Sequence, residues 1–426
     1  MGFFKNKNNY NFDDIKYAYE SINIPRYEDI EYLPLGENKN RAIECKIANP
    51  NILHVTIDEN DLDMVTATIL QIIKKEESLI VLDPDGKLYH KFKTLLFSKN
   101  YKTRYINIDD EESNTWSFFS GDEIDINNPN AVEDVLKKSR LLLEIFADEF
   151  LEKEDKEEYL EIWSVIFGAF YAYIYTNNLL NENKFDKMYE LLEYHTVYEL
   201  DKIFEEANDI TYELWFNTID IDYEEKDYLI TLTLGLLDII REPSTNRLIS
   251  TSDLTLTSPA KRKSAFFFDS IPDALDDNNC INIILNFMLA ELKDCLDEKN
   301  LFDIPINFIL NNIDFFPNLS HFIEYAATFK NNNISFIYTC SELDSIYETY
   351  STATLNTFFN SLNYLTLTRY DKENLEVINK HMIELPEDIT EDTLYRKEIL
   401  VAQDRVILCR RFDLTQHPMY YRICYE

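Results

Sequence analysis

An α/β fold is predicted for this chain: a mostly parallel sheet flanked by helices, with an all-α segment inserted into it. Three observations predict it. Short apolar runs alternate with amphipathic helical stretches between residues 49 and 125, a long helical span follows, and strand-like runs return after residue 255. Enough apolar material exists to bury such a core, since 45% of the 426 residues are hydrophobic and 14% aromatic.

The elements follow in order. Residues 1–48 are polar and rich in Asn, Tyr and Lys without sustained periodicity, and are expected to form an irregular lead-in or short amphipathic pieces. Strand candidates at 52–57, 79–82 ("LIVL") and 103–108 ("TRYINI") are separated by helical stretches at 61–75 and 87–98. Strand, helix, strand twice over implies parallel pairing with right-handed crossovers. From residue 131 the spacing turns helical, with Val132, Val135, Leu136, Ser139, Leu142, Leu143 and Phe146 recurring at i, i+3, i+4. Strands return at 265–268, 306–310, 334–339, 364–367 and 405–409. The expected organisation is a lead-in over 1–48, an α/β domain made of 49–125 and 255–426, and an all-α insertion over 126–254. The sequence shows no internal repeat and no Gly/Ser-rich or Pro-rich linker.

Charge excludes several functions. With 78 acids against 41 bases the formal net charge is −37, which repels phosphate backbones and anionic lipid headgroups. Direct DNA binding is therefore not expected, and the basic run Lys261-Arg262-Lys263 reads as a solvated turn before a strand. Six scattered cysteines, with no CxxC and no signal peptide ahead of them, indicate reduced thiols in a cytoplasmic protein. The most apolar stretch, Leu160 to Ile174, carries Glu161 and falls short of the roughly 20 residues a membrane span needs.

The segment "ILHVTIDENDLDMVTATILQII", residues 52–73, has the outline of a phosphate-binding loop: strand, polar turn, helix. Its chemistry is the reverse of one. A P-loop uses glycine amides, a lysine and a hydroxyl in the order GxxxxGKS or GxxxxGKT, whereas this turn offers Asp58, Glu59, Asp61 and Asp63. A carboxylate about 5 Å from a phosphate charge costs roughly 3 kcal/mol at an effective dielectric near 20. The same acids suit a helix start, where Asp58 or Asp61 would accept amide hydrogens and the neighbours would sit at the positive end of the dipole. A calcium-loop reading fails because Leu62, Asp63 and Ile69 stand where an Asp or Asn, a Gly and a Glu belong, leaving a weak metal site of Asp58, Asp61 and Asp63 as the lesser alternative. His54, in an apolar strand, reads as a core histidine, and Asp314 as a capping or solvated residue. No GxSxG elbow, HExxH or Gly-rich dinucleotide turn is present.

Several segments, in order, resemble the TraG/TraD coupling proteins of type IV secretion and conjugation. "SLIVLDPDGKLYHKFKTLLFSKNYKTRYINIDDEESNTWSFF" (78–119) is similar to the family's strand ending in Asp-Pro-Lys-Gly-Glu with the helix and strand after it. "RLISTSDLTLTSPAKRKSAFFFDSIPD" (247–273) resembles the return from helical domain to sheet. "NFILNNIDFFPNLSHFIEYAATFKNNNISFIYTCSELDSIYETY" (307–350) resembles the Walker B strand, the following helix and the next strand, and "EILVAQDRVILCRRFDLTQHPMYY" the closing strand and exit. The resemblance implies a RecA-like P-loop ATPase fold carrying an all-α domain, in a family that uses ATP and magnesium and is tethered to the membrane by an N-terminal anchor that this sequence does not show.

The family's functional positions are replaced one by one. Asp63 or Met64 occupies the place of the phosphate-binding lysine, and the Asp-Glu pair of Walker B falls on Asn311 and Asn312, which neither carry charge nor accept a proton. After Asp83, the family's lysine and glutamate become Asp85 and Lys87, and the arginines of the following helix fall on Lys330 and Asn332. The expectation is a pseudo-ATPase with no cofactor, neither ATP nor magnesium. It would act through secretion-system or coupling-protein subunits and, as a further candidate, a relaxase, in the cytoplasm or at the edge of a membrane secretion complex. Two alternatives stay open: a motor subunit active with a paralogue or by divergent chemistry, and an acidic inhibitor or DNA mimic of a coupling-protein ring.

Overall fold

The strand Ser78–Leu82 reads SLIVL and the strand Ile306–Leu310 reads INFIL; every residue of both is buried, a pattern that requires cover on both faces of a sheet. The computed structural model describes residues 22–56, 62–118, 130–151, 156–177, 184–250, 253–269, 278–297, 302–313, 320–329, 332–341, 343, 346, 350–368, 372–381, 398–402 and 405–424. Its strands are β1 (Ile22–Asn23), β2 (Pro34–Asn38), β3 (Arg41–Cys45), β4 (Ile52–Val55), β5 (Ser78–Leu82), β6 (Lys102–Asn107), β7 (Ser264–Asp269), β8 (Ile306–Leu310), β9 (Ile334–Cys340), β10 (Tyr364–Leu367), β11 (Glu398–Ala402) and β12 (Arg405–Cys409). Nine of them form one sheet in the order β12-β11-β10-β4-β9-β8-β5-β7-β6. Pairing is parallel from β10 through β7 and antiparallel where β11 and β12 close the edge.

The chain divides into two compact units, one of residues 1–105, 257–272 and 292–426 and the other of residues 106–256 and 273–291. In the first, helix α1 (Asp63–Lys75) is buried from Met64 through Ile73, because it packs in the main core together with Leu35 and Ile43 of β2 and β3. Two of its polar members find a partner there: Gln71 Nε2 and Lys74 Nζ donate to the Ile30 carbonyl at 3.2 and 2.6 Å. Lys74 and Lys75 also complement the negative end of the helix dipole. The sheet interior is filled by aromatic side chains, with Phe308 and Phe336 stacked at 5.0 Å and Tyr338 edge-on to Phe358.

The lead-in, expected to be irregular, contains an antiparallel three-stranded sheet in the order β1-β3-β2. Its strands escape a pattern search because Glu44 inside β3 is buried to accept the Glu31 and Tyr32 amides, both at 2.8 Å, a partnership that only the folded chain supplies. β11 was likewise not expected as a separate strand; it exists by pairing between β10 and β12.

The second unit is helical: α3 (Ala131–Phe150), α4 (Lys156–Thr176), α5 (Lys184–Tyr194), α6 (Val197–Glu205), α7 (Asp209–Phe216), α8 (Tyr223–Ile240) and α9 (Pro243–Ser250). Gly168 brings α4 against α3, since a Cβ there would lie 3.3 Å from both Ser139 Oγ and Val135 Cγ1. Trp163 donates its indole N–H to Thr233 Oγ1 at 2.8 Å, and Phe170, Phe204 and Trp215 meet edge to face. No helix among the described residues is long and apolar enough to cross a membrane.

Candidate nucleotide-site edge of the sheet

The chain leaves β4 through α1 toward β5 on one side, and leaves β9 toward β10 on the other, although β4 and β9 are neighbours. Crossovers of one hand then run on opposite faces of the sheet, which opens a crevice at the carboxyl ends of this pair, the place where open α/β sheets bind ligands. The Thr56 amide donates to the Cys340 carbonyl at 2.8 Å and holds the two ends together. β8 ends beside them. Thr339 of β9 donates its hydroxyl to Asn311 Oδ1 at 2.8 Å and accepts the Asn312 amide at 2.9 Å. Asn311 is buried, and Asn312 takes a left-handed backbone (φ 57°) that asparagine tolerates better than most residues.

At the start of α1 the N-cap is Leu62, which supplies no side-chain cap. Asp63 lies in the first turn, and Met64 is buried in the core. Asp58, Glu59 and Asp61 lie outside the described residues, and so do Asp314 and Lys330. An ammonium does reach the first turn of α1, from a place that loop-pattern reasoning misses: Lys91 Nζ, on helix α2 (Lys87–Ser98), donates to Thr66 Oγ1 at 3.0 Å. Burial lowers the pKa of Lys91, and the charge of Asp63 acts the other way.

Two strands from β9, the buried Asp83 carboxylate closes the start of α2, accepting the Leu88 amide at 3.1 Å and the Tyr89 amide at 2.8 Å. Its pKa is pushed up to about 7, mainly by burial, against the pull of those two amides. Asp85 pairs with Lys87 at the surface. Between them Gly86 adopts φ 64°, where a Cβ would meet Asp269 Oδ2 at 2.9 Å and Tyr105 Oη at 3.0 Å, so glycine is required there. The Tyr105 hydroxyl bonds to Asp269, and the Tyr105 ring stacks on Tyr89 at 4.1 Å.

Asn332 precedes β9 and therefore stands at the opposite end of the parallel strands from Asn311 and Asn312. His54 is buried in β4, with Nδ1 2.7 Å from Thr366 Oγ1 and a pKa lowered to about 4 by burial and by Arg411; its Nε2 meets no polar partner among the described residues. No group of three or more His, Cys, Asp or Glu side chains among the described residues is placed to hold a metal. The described part of the crevice offers side-chain amides at the end of β8 and, at the start of α1, a carboxylate, a buried thioether and the Thr66 hydroxyl with the Lys91 ammonium beside it.

This fold is RecA-like: a mostly parallel sheet flanked by helices, with a helical unit inserted. Solved structures carry the same fold over nearly the whole chain. The bacterial conjugative coupling protein TrwBdeltaN70, in its unbound monoclinic form, is 11% identical, with 91% of this chain and 89% of that one covered and a TM-score of 0.64. The plasmid coupling protein TrwB in complex with ADP and Mg2+ is 12% identical, with 85% and 84% covered and a TM-score of 0.58. VirB4 of Thermoanaerobacter pseudethanolicus is 12% identical, with 90% and 97% covered and a TM-score of 0.55. No protein-family model matches the chain, and no curated protein matches it.

Proposed function

We propose that the chain is a non-catalytic, coupling-protein-like subunit or adaptor of a conjugation or type IV secretion system, which acts through protein contacts and not by hydrolysing ATP. The observation that carries this reading is the pair Asn311 and Asn312 at the end of β8, bound up with Thr339 at the crevice where the fold would bring a metal–phosphate group. An amide neither neutralises Mg2+ nor takes a proton from water. The fold's likeness to a coupling protein and to VirB4 supports the system, and the net charge of −37 supports protein partners over DNA. Secretion-system or coupling-protein subunits are the partners proposed, with a relaxase as a further candidate.

Equilibrium dialysis of the full chain against labelled ATP with Mg2+ tests the proposal. No saturable binding is expected up to millimolar nucleotide, and a low-micromolar Kd would sink it. A second reading draws on the solved complex of the plasmid coupling protein TrwB with ADP and Mg2+. In it the chain is a motor subunit whose hydrolytic groups come from a paralogue. Mixing the chain with such a paralogue separates the two readings, since only a shared site raises turnover above that of the paralogue alone.

A further inference from the structure

Outside the helical unit, two large aromatic side chains among the described residues stand exposed: Phe97 of α2, at 82%, and Tyr421, at 53%. Both belong to one place in the fold, because the closing helical turn Tyr421–Cys424 packs on α2. Neither ring serves the core. The core side of α2 is made by Leu88, Phe92, Leu95 and Leu96, which leaves His90, Lys93 and Phe97 as an exposed stripe at i, i+3 and i+7 on its far side. In the closing turn Ile423 packs against the main core, while Tyr421 and Arg422 stay exposed.

This place also differs in charge from the rest of the molecule. Residues 86–108 carry six lysine or arginine side chains and no acid, in a chain with 78 acids and a net charge of −37. Lys93 Nζ lies 3.4 Å from His90 Nδ1, one turn before Phe97, and Lys87 opens the helix paired with Asp85. Arg422 lies over the Tyr421 ring with Cζ 5.1 Å from its centre, and its Nε donates to Tyr421 Oη at 3.0 Å. Lys91 is not part of this face, since its ammonium turns to Thr66. Two exposed rings thus stand among cations on an otherwise acidic chain.

We propose that α2 and the closing turn, with His90, Lys93, Phe97, Tyr421 and Arg422, form a docking surface for a short acidic segment of a partner protein that carries apolar side chains among its carboxylates. Charge complementarity selects an anionic occupant, and the exposed rings select one with apolar groups to cover them. Size selects a short one. A helix of this length spans about 18 Å, and exposed acids stand at its margins: Asp85 against Lys87, and Asp63 and Asp413 within electrostatic reach of Tyr420. A nucleic-acid duplex or an anionic bilayer spreads its charge past that length and meets those acids, which a segment of a few residues avoids. A second copy of the chain is repelled at long range by the same net charge of −37. The inference rests on the reading of the chain as a subunit that works by protein contacts, but its test involves no nucleotide, so the two can fail separately.

The probe is a short fluorescein-labelled peptide of glutamate and leucine, titrated into the full chain and followed by anisotropy, with an all-glutamate peptide of equal length beside it. The mixed peptide is expected to bind several-fold more tightly than the all-glutamate one. Its affinity should fall about tenfold in the variant Lys93→Glu/Phe97→Ala, and should weaken as NaCl is raised. Both side chains are exposed, so the circular dichroism spectrum of the variant should match the parent. If that variant does misfold, His90→Glu/Arg422→Glu replaces it, with the same loss expected. Absence of binding by the mixed peptide, equal binding of the two peptides, or full binding retained by a folded variant overturns the proposal. A DNA duplex or phosphatidylserine vesicles that bind more tightly than the peptide, and lose that binding in the variant, overturn it in favour of another occupant. So does a dimer of the parent in sedimentation that the variant no longer forms.

Discussion

Asp83 shows how one residue can look like a fragment of a nucleotide motif and yet be tied into the scaffold. It stands at the head of a Pro-Asp-Gly-Lys run, but both of its oxygens accept amides at the start of α2, and its proton is held up to about pH 7 by burial. The consequence has a definite sign. The unfolded chain loses this proton near the ordinary carboxylate pKa and the folded chain only near 7, so between about pH 4 and 7 the native state binds more protons and this group erodes stability as pH rises. Asp83→Asn removes that titration and one of the two amide bonds, at a fixed cost of about 1 kcal/mol. Urea unfolding of parent and variant at pH 5 and pH 8 checks it: the variant should gain on the parent at the higher pH, and an unchanged difference would refute the assignment. Lys91 carries the complementary lesson. It reaches Thr66 across two helices, and no loop pattern within residues 52–73 could reveal it.

At the scale of elements, strands were read best where burial on both faces removes any choice. The runs 306–310 and 364–367 coincide with β8 and β10, which are buried throughout, and 405–409 coincides with the edge strand β12. β2 and β3 were not read, because their Glu37 and Glu44 are buried by hydrogen bonds with Tyr27 and with the Glu31 and Tyr32 amides, contacts that periodicity cannot register. Helix packing in the second unit depends on small volume at one point. Gly168→Leu would drive a side chain into Ser139 and Val135, and overpacking of this kind costs about 1–3 kcal/mol. A drop in thermal midpoint of several degrees is expected, with Gly168→Ala far milder; an unchanged midpoint for the leucine variant would mean that α3 and α4 part freely at this position.

For the whole molecule, 78 acids against 41 bases impose self-repulsion that the fold must overcome. Raising NaCl from about 20 mM to about 0.5 M shortens the screening length severalfold and should raise the thermal midpoint. A midpoint that falls with salt would show that favourable ion pairs such as Lys75–Glu77 and Arg241–Asp186 dominate instead.

What the amino-acid sequence determined alone was residue type, such as Asn311 and Asn312 after one strand and Asp63 and Met64 at the start of a helix, and a buried parallel sheet, because residue type and apolar periodicity are local properties. Position was decided by the tertiary structure. Val55, Asn311 and Cys340 share one sheet edge because β4, β9 and β8 pair in parallel through long crossovers. The burial of Glu44, the reach of Lys91 and the convergence of Trp215 and Tyr223 on Asp201 likewise depend on groups far apart in the chain, which meet once the core has formed.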